Sequence, residues 1–139
     1  MIIIYTDGGA RGNPGPAGAG VVIYDGSRKV AELKKFLGGN RTNNWAEYEA
    51  LALALLEAKK RGLSGREAEI RMDSELIVRQ MKGEYQVKEE TLWPQYMKIH
   101  NLIVAHFQSV RFTHIPRAEN KEADALVNEA LDANIAAGE

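Results

Sequence analysis

Met1-Ile2-Ile3-Ile4-Tyr5-Thr6 is an unbroken β-rich apolar run, and the Asp7-Gly8-Gly9-Ala10-Arg11-Gly12-Asn13-Pro14-Gly15-Pro16 that follows is crowded with glycine and proline. The run shows no polar alternation, as expected of a strand buried on both faces. It falls far short of the ~18 apolar residues of a membrane span and ends in Tyr5-Thr6-Asp7, so it reads as a strand rather than a signal peptide. The glycine-rich segment predicts a loop, with Asp7 at its entrance. Gly18–Tyr24 predicts a second strand, Asp25-Gly26 a hairpin turn, and Lys29–Leu37 the returning strand, ended by Gly38-Gly39. The first forty residues therefore predict a three-stranded antiparallel meander.

Downstream the pattern changes. Asn44 to Arg61 is rich in Ala, Leu and Glu and free of Pro and Gly, which predicts a helix closed by Gly62, with Lys59, Lys60 and Arg61 suiting its negative end. Glu67–Asp73 predicts a strand, and Ser74–Met81 a short helix with Ser74 as N-cap. Lys82–Lys88 is a polar connector. Glu90–Phe107 is helical in pattern, with Pro94 near its first turn, where proline is tolerated. Val110–Ile115 predicts the last strand, broken by Pro116. Asn120–Ala137 predicts the last helix, with Glu119 or Asn120 near its cap. The order βββαβααβα implies an α/β fold, a mixed sheet with helices on its faces.

The length of 139 residues is one domain's worth, 1–139, against a usual ~100–150. A hydrophobic fraction of 45% with 27% charged residues excludes disordered, collagen-like and membrane classes. The absence of cysteine excludes disulfides, thiolate nucleophiles and cysteine-type zinc sites, and fits a reducing cytoplasm. The net charge is −1, so any nucleic-acid role must rest on local chemistry rather than bulk basicity.

Four carboxylates stand where a bland explanation weakens. Taken singly, Asp7 reads as a turn residue and Asp73 as a cap for the following helix. Glu47 is harder to dismiss: at ~100° per residue its helical neighbours are Leu51, Ala54, Leu55 and Ala58, whereas Glu49 shares a side with Leu56 and Lys60 and has a route to water. Asp124 opens the last helix beside the apolar stripe Ala123, Val127, Ala130 and Leu131. If the first and fourth strands are parallel neighbours, Asp7 and Asp73 lie side by side, and the two long helices can bring Glu47 and Asp124 to the same end. Two bare carboxylates ~4 Å apart repel by ~4 kcal/mol at an effective dielectric near 20. Four need cations or protons. All-oxygen ligands select a hard ion, Mg²⁺ or Mn²⁺, and a pair of such ions suits in-line displacement at phosphorus.

The runs Tyr5–Gly15, Thr42-Asn43-Asn44-Trp45-Ala46-Glu47, Asp73-Ser74 and Glu119-Asn120-Lys121-Glu122-Ala123-Asp124 together resemble the type 1 ribonuclease H family, in order across nearly the whole chain. The resemblance implies a five-stranded sheet in the order 3-2-1-4-5 and endonucleolytic hydrolysis of the RNA strand of RNA–DNA hybrids, leaving 5′-phosphate and 3′-hydroxyl ends. It implies that Asp7 bridges two Mg²⁺ ions, with Mn²⁺ as a substitute. Glu47 and Asp73 would complete one site, and Asp124 would help hold the ion that activates water. Asn13, Asn43 and Asn44 match positions that read the hybrid's minor groove and 2′-hydroxyls, joined by backbone groups of Gly8 and Arg11. Double-stranded RNA shares the A-form groove and is a second candidate substrate. No membrane and no obligatory protein partner are implied, and a monomer is expected.

Three departures from the family pattern matter. The lysine-rich insertion of many members is replaced by Lys82-Gly83-Glu84-Tyr85-Gln86-Val87-Lys88, leaving the grip to scattered residues such as Arg41, Arg79, Lys82 and Lys88. The family's loop histidine has two candidate stand-ins, Arg117 in the loop and His114 at the strand end. Glu75 stands where many members carry a base-contacting glutamine, and a carboxylate there repels phosphate. Trp45 and Trp93 read as core residues rather than stacking platforms. A catalytically silent hybrid-binding domain and a DNA-cutting nuclease of the same fold are the competing readings. The first is disfavoured by clustered negative charge facing phosphate, the second by the paired asparagines before Glu47.

Overall fold

The structure is a computed structural model that describes residues 1–63 and 65–138, so positions 64 and 139 of the expected 1–139 domain lie outside the described residues. Strands β1 (Ile2–Ala10), β2 (Gly15–Asp25) and β3 (Arg28–Arg41) form the expected antiparallel meander, and β4 (Glu67–Met72) and β5 (Ser109–His114) add to it in parallel. The sheet order is β3-β2-β1-β4-β5. Helices α1 (Asn43–Lys60), α2 (Glu75–Met81), α3 (Trp93–His106) and α4 (Lys121–Gly138) complete the βββαβααβα sequence.

The main correction concerns the glycine-rich segment. Asp7 to Ala10 continue β1, pairing Asp7↔Gly20, Gly8↔Ala19, Gly9↔Gly18 and Ala10↔Ala17, and only the tip around Gly12 turns. Glycine serves close approach here rather than a bend. A Cβ on Gly8 would stand 2.2 Å from the Ala46 carbonyl of α1, and one on Gly20 would stand 2.2 Å from the Ala123 carbonyl of α4. Helix backbones can thus press onto both faces of the sheet at the level of Asp7. Nor do Gly38-Gly39 end β3: Gly38, at φ +119°, sits at a bulge opposite Ala17, and the strand runs on to Arg41.

The main core lies between the sheet and α1, where Ile2, Ile4, Val21, Ile23 and Ile70 meet Tyr48, Leu51 and Leu55. On the other face α4 covers β2, packing Leu131 and Ala130 over Gly18. That cover is narrower than the sheet, so Ile3 and Tyr5 of β1 are half-buried rather than enclosed as expected. Trp93, expected in the core, is 50% exposed, its indole N–H donating to the Val87 carbonyl at 2.7 Å, while Trp45 packs partly buried against the core. The Glu90–Phe107 segment divides into a 3-10 turn (Glu90–Leu92) and α3. Ser74 caps α2 as expected, accepting from the Ile77 N–H at 3.4 Å, and Thr42 caps α1 through the Trp45 N–H at 3.2 Å.

Candidate active site

The parallel ladder between β1 and β4 ends at Tyr5↔Arg71, beyond which the strands part. Asp7, two residues past that pair, and Asp73, directly after β4, flank the opening. This is the end of the strands where open α/β sheets bind ligands, beside the strand at which neighbours change from antiparallel to parallel.

Glu47 arrives from the first turns of α1. Its side chain is only 6% exposed, and Oε1 accepts the Gly8 backbone N–H at 2.8 Å. Oε2 is buried with no partner among the described residues. Asp7, Glu47 and Asp73 each offer an oxygen such that all three lie within 4.8 Å of one another. Asp124 joins from the first turn of α4, one-third exposed, and shares with those three a cleft of about 430 Å³ that also touches Gly8, Arg11, Asn43, Asn44 and Arg117.

Crowding sets the electrostatics. Burial pushes the Asp7 carboxyl up to about 7; its contact with Glu47 works against that rise, while Asp73 and Asp124 add to it. Burial, then the neighbouring charge of Asp7, raises Glu47 well above the usual carboxylate range, and burial raises Asp73. Without a counter-charge, burial and neighbouring charge favour the protonated forms of Asp7, Glu47 and Asp73. A buried acceptor with no donor beside it, in an all-carboxylate set, fits a hard divalent cation.

The remaining residues divide. Asn43 Oδ1 accepts from the Ala10 N–H at 2.7 Å, and Asn13 Oδ1 accepts from the Asn43 N–H at 3.0 Å. These bonds fix the β1–β2 tip against the start of α1 and leave the amide nitrogens as the groups for a ligand. The backbone N–H groups of Gly8 and Arg11 are engaged, by Glu47 and by the Pro16 carbonyl at 2.8 Å, so neither has a backbone donor to offer, and the Arg11 carbonyl is packed against Gly15. The Arg11 guanidinium turns to α4, 2.7 Å from Asp132 and 3.2 Å from Asn128 Oδ1. Arg117, exposed on a 3-10 turn (Arg117–Glu119), lies 3.6 Å from Asp124. His114 ends β5 and stands 4.0 Å from Glu75, outside the cleft lining, as do Glu75 itself and Asn13. Arg79, expected to share the grip, is engaged by Glu84 at 3.2 Å and Glu75 at 3.7 Å.

Ser74 and Asn128 also line the cleft without standing among the expected site residues, although Asn128 follows Asp124 by one helical turn, a spacing the residues themselves display. Glu49, read as having a route to water, is half-buried and accepts from Gln95 Nε2 at 2.8 Å.

Residues 5–130 match a family profile described as "Reverse transcriptase-like". The chain is 43% identical over 134 residues to the bifunctional protein Rv2228c of Mycobacterium tuberculosis, covering 95% of this chain and only 36% of that protein's length. It is 40% identical over 128 residues to ribonuclease HI of Halobacterium salinarum, covering 92% of this chain and 63% of that one. Among solved structures it superimposes on LC11-RNase H1 in complex with an RNA/DNA hybrid with a TM-score of 0.93 and 52% identity, covering 97% of this chain and 99% of that one. Sheet order, acidic cleft and these relatives agree: the chain belongs to the type 1 ribonuclease H family.

Proposed function

We propose that the chain is a divalent-metal-dependent endonuclease that hydrolyses the RNA strand of RNA–DNA hybrids, leaving 5′-phosphate and 3′-hydroxyl ends. The observation that carries the reading is Glu47: a buried carboxylate whose second oxygen has no donor among the described residues, packed against Asp7 and within reach of Asp73. Asp7, Glu47 and Asp73 would hold one Mg²⁺, and Asp7 with Asp124 a second, Mn²⁺ being able to replace either. When bound, such a pair supplies activation of the attacking water and charge neutralisation at the departing 3′ oxygen.

This chain's own residues do the positioning. Asn13, Asn43 and Asn44 present amide N–H donors, and Gly8 a backbone acceptor, to the 2′-hydroxyls and base edges of an A-like minor groove, which is how an RNA strand is told from DNA. Arg117, at the cleft rim, meets phosphate; His114 and Glu75 stand outside the cleft lining, 4.0 Å from each other. The likeness to a ribonuclease H1 solved with an RNA/DNA hybrid supports the choice of substrate. A single catalytic domain, acting as a monomer in the cytoplasm, belongs to the same reading and is consistent with the cysteine-free composition.

The test is cleavage of a strand-labelled hybrid beside all-DNA and all-RNA duplexes, with and without Mg²⁺. The reading predicts Mg²⁺-dependent cuts in the RNA strand of the hybrid and at most slow cutting of double-stranded RNA. Binding without cleavage would make the domain a hybrid-binding module, and an all-DNA duplex cut as fast as the hybrid would make it a DNA nuclease.

A further inference from the structure

Asn120 is 1% exposed, in a segment otherwise facing water. A buried side-chain amide is unfavourable unless bonded, and here only half of it is: Nδ2 donates to the Thr6 carbonyl at 2.9 Å, and Oδ1 has no partner among the described residues. Its backbone is equally engaged. The Asn120 N–H donates to the Arg117 carbonyl at 3.0 Å, and its carbonyl accepts the Asp124 N–H at 3.1 Å. One residue thereby joins the turn that carries Arg117, the first turn of the helix that carries Asp124, and the strand residue directly before Asp7.

The place of attachment is informative. Thr6 lies one residue past the last β1–β4 pair, where the strands part to open the cleft. On β2 the same turn of α4 is set by Gly20, the partner of Asp7, against which the Ala123 carbonyl rests. An apolar side chain would leave no orphaned Oδ1 but would strip the Thr6 carbonyl of its donor, so the amide is kept here for the link between strand and helix. A local rule broken beside a site points to a role there.

We propose that Asn120 is a positioning residue that sets where the Asp124 carboxylate stands relative to Asp7; the proposal rests on the function proposed above. It acts through the backbone of α4 and touches neither substrate nor ion.

The test compares wild type with Asn120→Ala and with the milder Asn120→Ser, which serves if the alanine variant does not fold; the control is Gln80→Ala, which removes a different buried amide, bonded to the Tyr48 hydroxyl and the Gln86 carbonyl and outside the cleft lining. Four readouts are taken: calorimetric titration with Mn²⁺ alone, kcat and KM on a hybrid with Mg²⁺, the melting temperature, and metal-free crystal structures. In the Asn120 variants we expect Mn²⁺ binding about ten-fold weaker and kcat about 10- to 100-fold lower, since ~1 Å of misplacement can cost that much. KM should stay within about two-fold, and Asp124 should sit displaced from Asp7 by about 1 Å. Gln80→Ala should lower the melting temperature with Mn²⁺ affinity intact. Asn120 variants with Asp124 unmoved, or with wild-type Mn²⁺ affinity and kcat, overturn the proposal. A wild type that neither binds Mn²⁺ nor cuts a hybrid instead overturns the proposed function, and the crystal structures still decide the role of Asn120.

Discussion

Gly8 donates its backbone N–H to Glu47 Oε1 across 2.8 Å, and the contact exists because Gly8 lacks the Cβ that would stand 2.2 Å from the Ala46 carbonyl. Helix α1 can therefore rest directly on β1, and an acid followed along its helix face by Leu51, Ala54, Leu55 and Ala58 arrives beside Asp7. The site is made by backbone contact between elements as much as by the side chains it displays. Gly8→Ala should push α1 outward, costing about 1–3 kcal/mol of stability as overpacking does. It should also lower kcat by at least ten-fold, because Glu47 moves with the helix. Denaturant unfolding and initial rates check both; a variant of normal stability and activity contradicts the contact's role.

Asp7→Asn should abolish turnover and stabilise the metal-free fold. The substitution removes one of the charges crowding Glu47, Asp73 and Asp124. A rise of about 1–2 kcal/mol in unfolding free energy at pH 8, with cleavage down by at least about 10³-fold, is expected. Retention of most activity shows that Asp7 is not the central ligand.

Stability should depend on pH in an uncommon direction. Asp7 is pushed from 3.8 up to about 7, and Glu47 and Asp73 are raised as well. The unfolded chain therefore gives up these protons first, and the folded state holds more of them between pH ~4 and ~7. By linkage the cluster's contribution is fully present below pH ~4 and is lost as pH rises through the folded values. The melting temperature of metal-free protein should fall from this source as pH goes from 5 to 8. Mg²⁺ should restore more stability at pH 8 than at pH 5, because it binds the ionised cluster. Equal Mg²⁺ effects at both pH values contradict the raised values.

Arg117 and His114 should separate in a mutational comparison. Arg117 lines the cleft 3.6 Å from Asp124, whereas His114 stands beside Glu75, outside it. Arg117→Ala should reduce kcat about ten-fold and His114→Ala no more than about two-fold, by steady-state kinetics on a hybrid. The reverse order of effects would move the family's histidine role onto His114.

Hybrid binding should be weak and shallow in its salt dependence. The connector between α2 and α3 carries only Lys82 and Lys88 as basic residues, and Arg79 is engaged by Glu75 and Glu84. Few phosphates are then neutralised, so log K should fall less steeply with log salt than in insertion-bearing relatives. Fluorescence anisotropy across a salt series measures the slope, and an equal slope contradicts the prediction.

Much of this was legible in the residues. Apolar runs, composition and the Gly, Pro and cap residues between them located the strands and α-helices found among the described residues, and the spacing around Glu47 marked it as an acid with no ordinary reason to face the sheet. What misled was glycine. Gly8, Gly9, Gly38 and Gly39 read as loop signals, yet they lie within strands, because lack of bulk permits close backbone approach and bulges as readily as it permits turns. Trp93 misled for a related reason: a large aromatic predicts burial, but whether a partner covers that face is a tertiary fact, and here its indole bridges to the connector at Val87. Asn120 was visible only as a cap, since nothing local to residues 117–124 reveals the Thr6 carbonyl on a strand far away in sequence.

Divalent ions should bind among the four carboxylates of the cleft. Anomalous diffraction from crystals of the protein soaked in Mn²⁺ should show peaks enclosed by Asp7, Glu47, Asp73 and Asp124, lost in Asp7→Asn. Soaked crystals with no peak among those four carboxylates, or with ions only elsewhere on the surface, would contradict that placement.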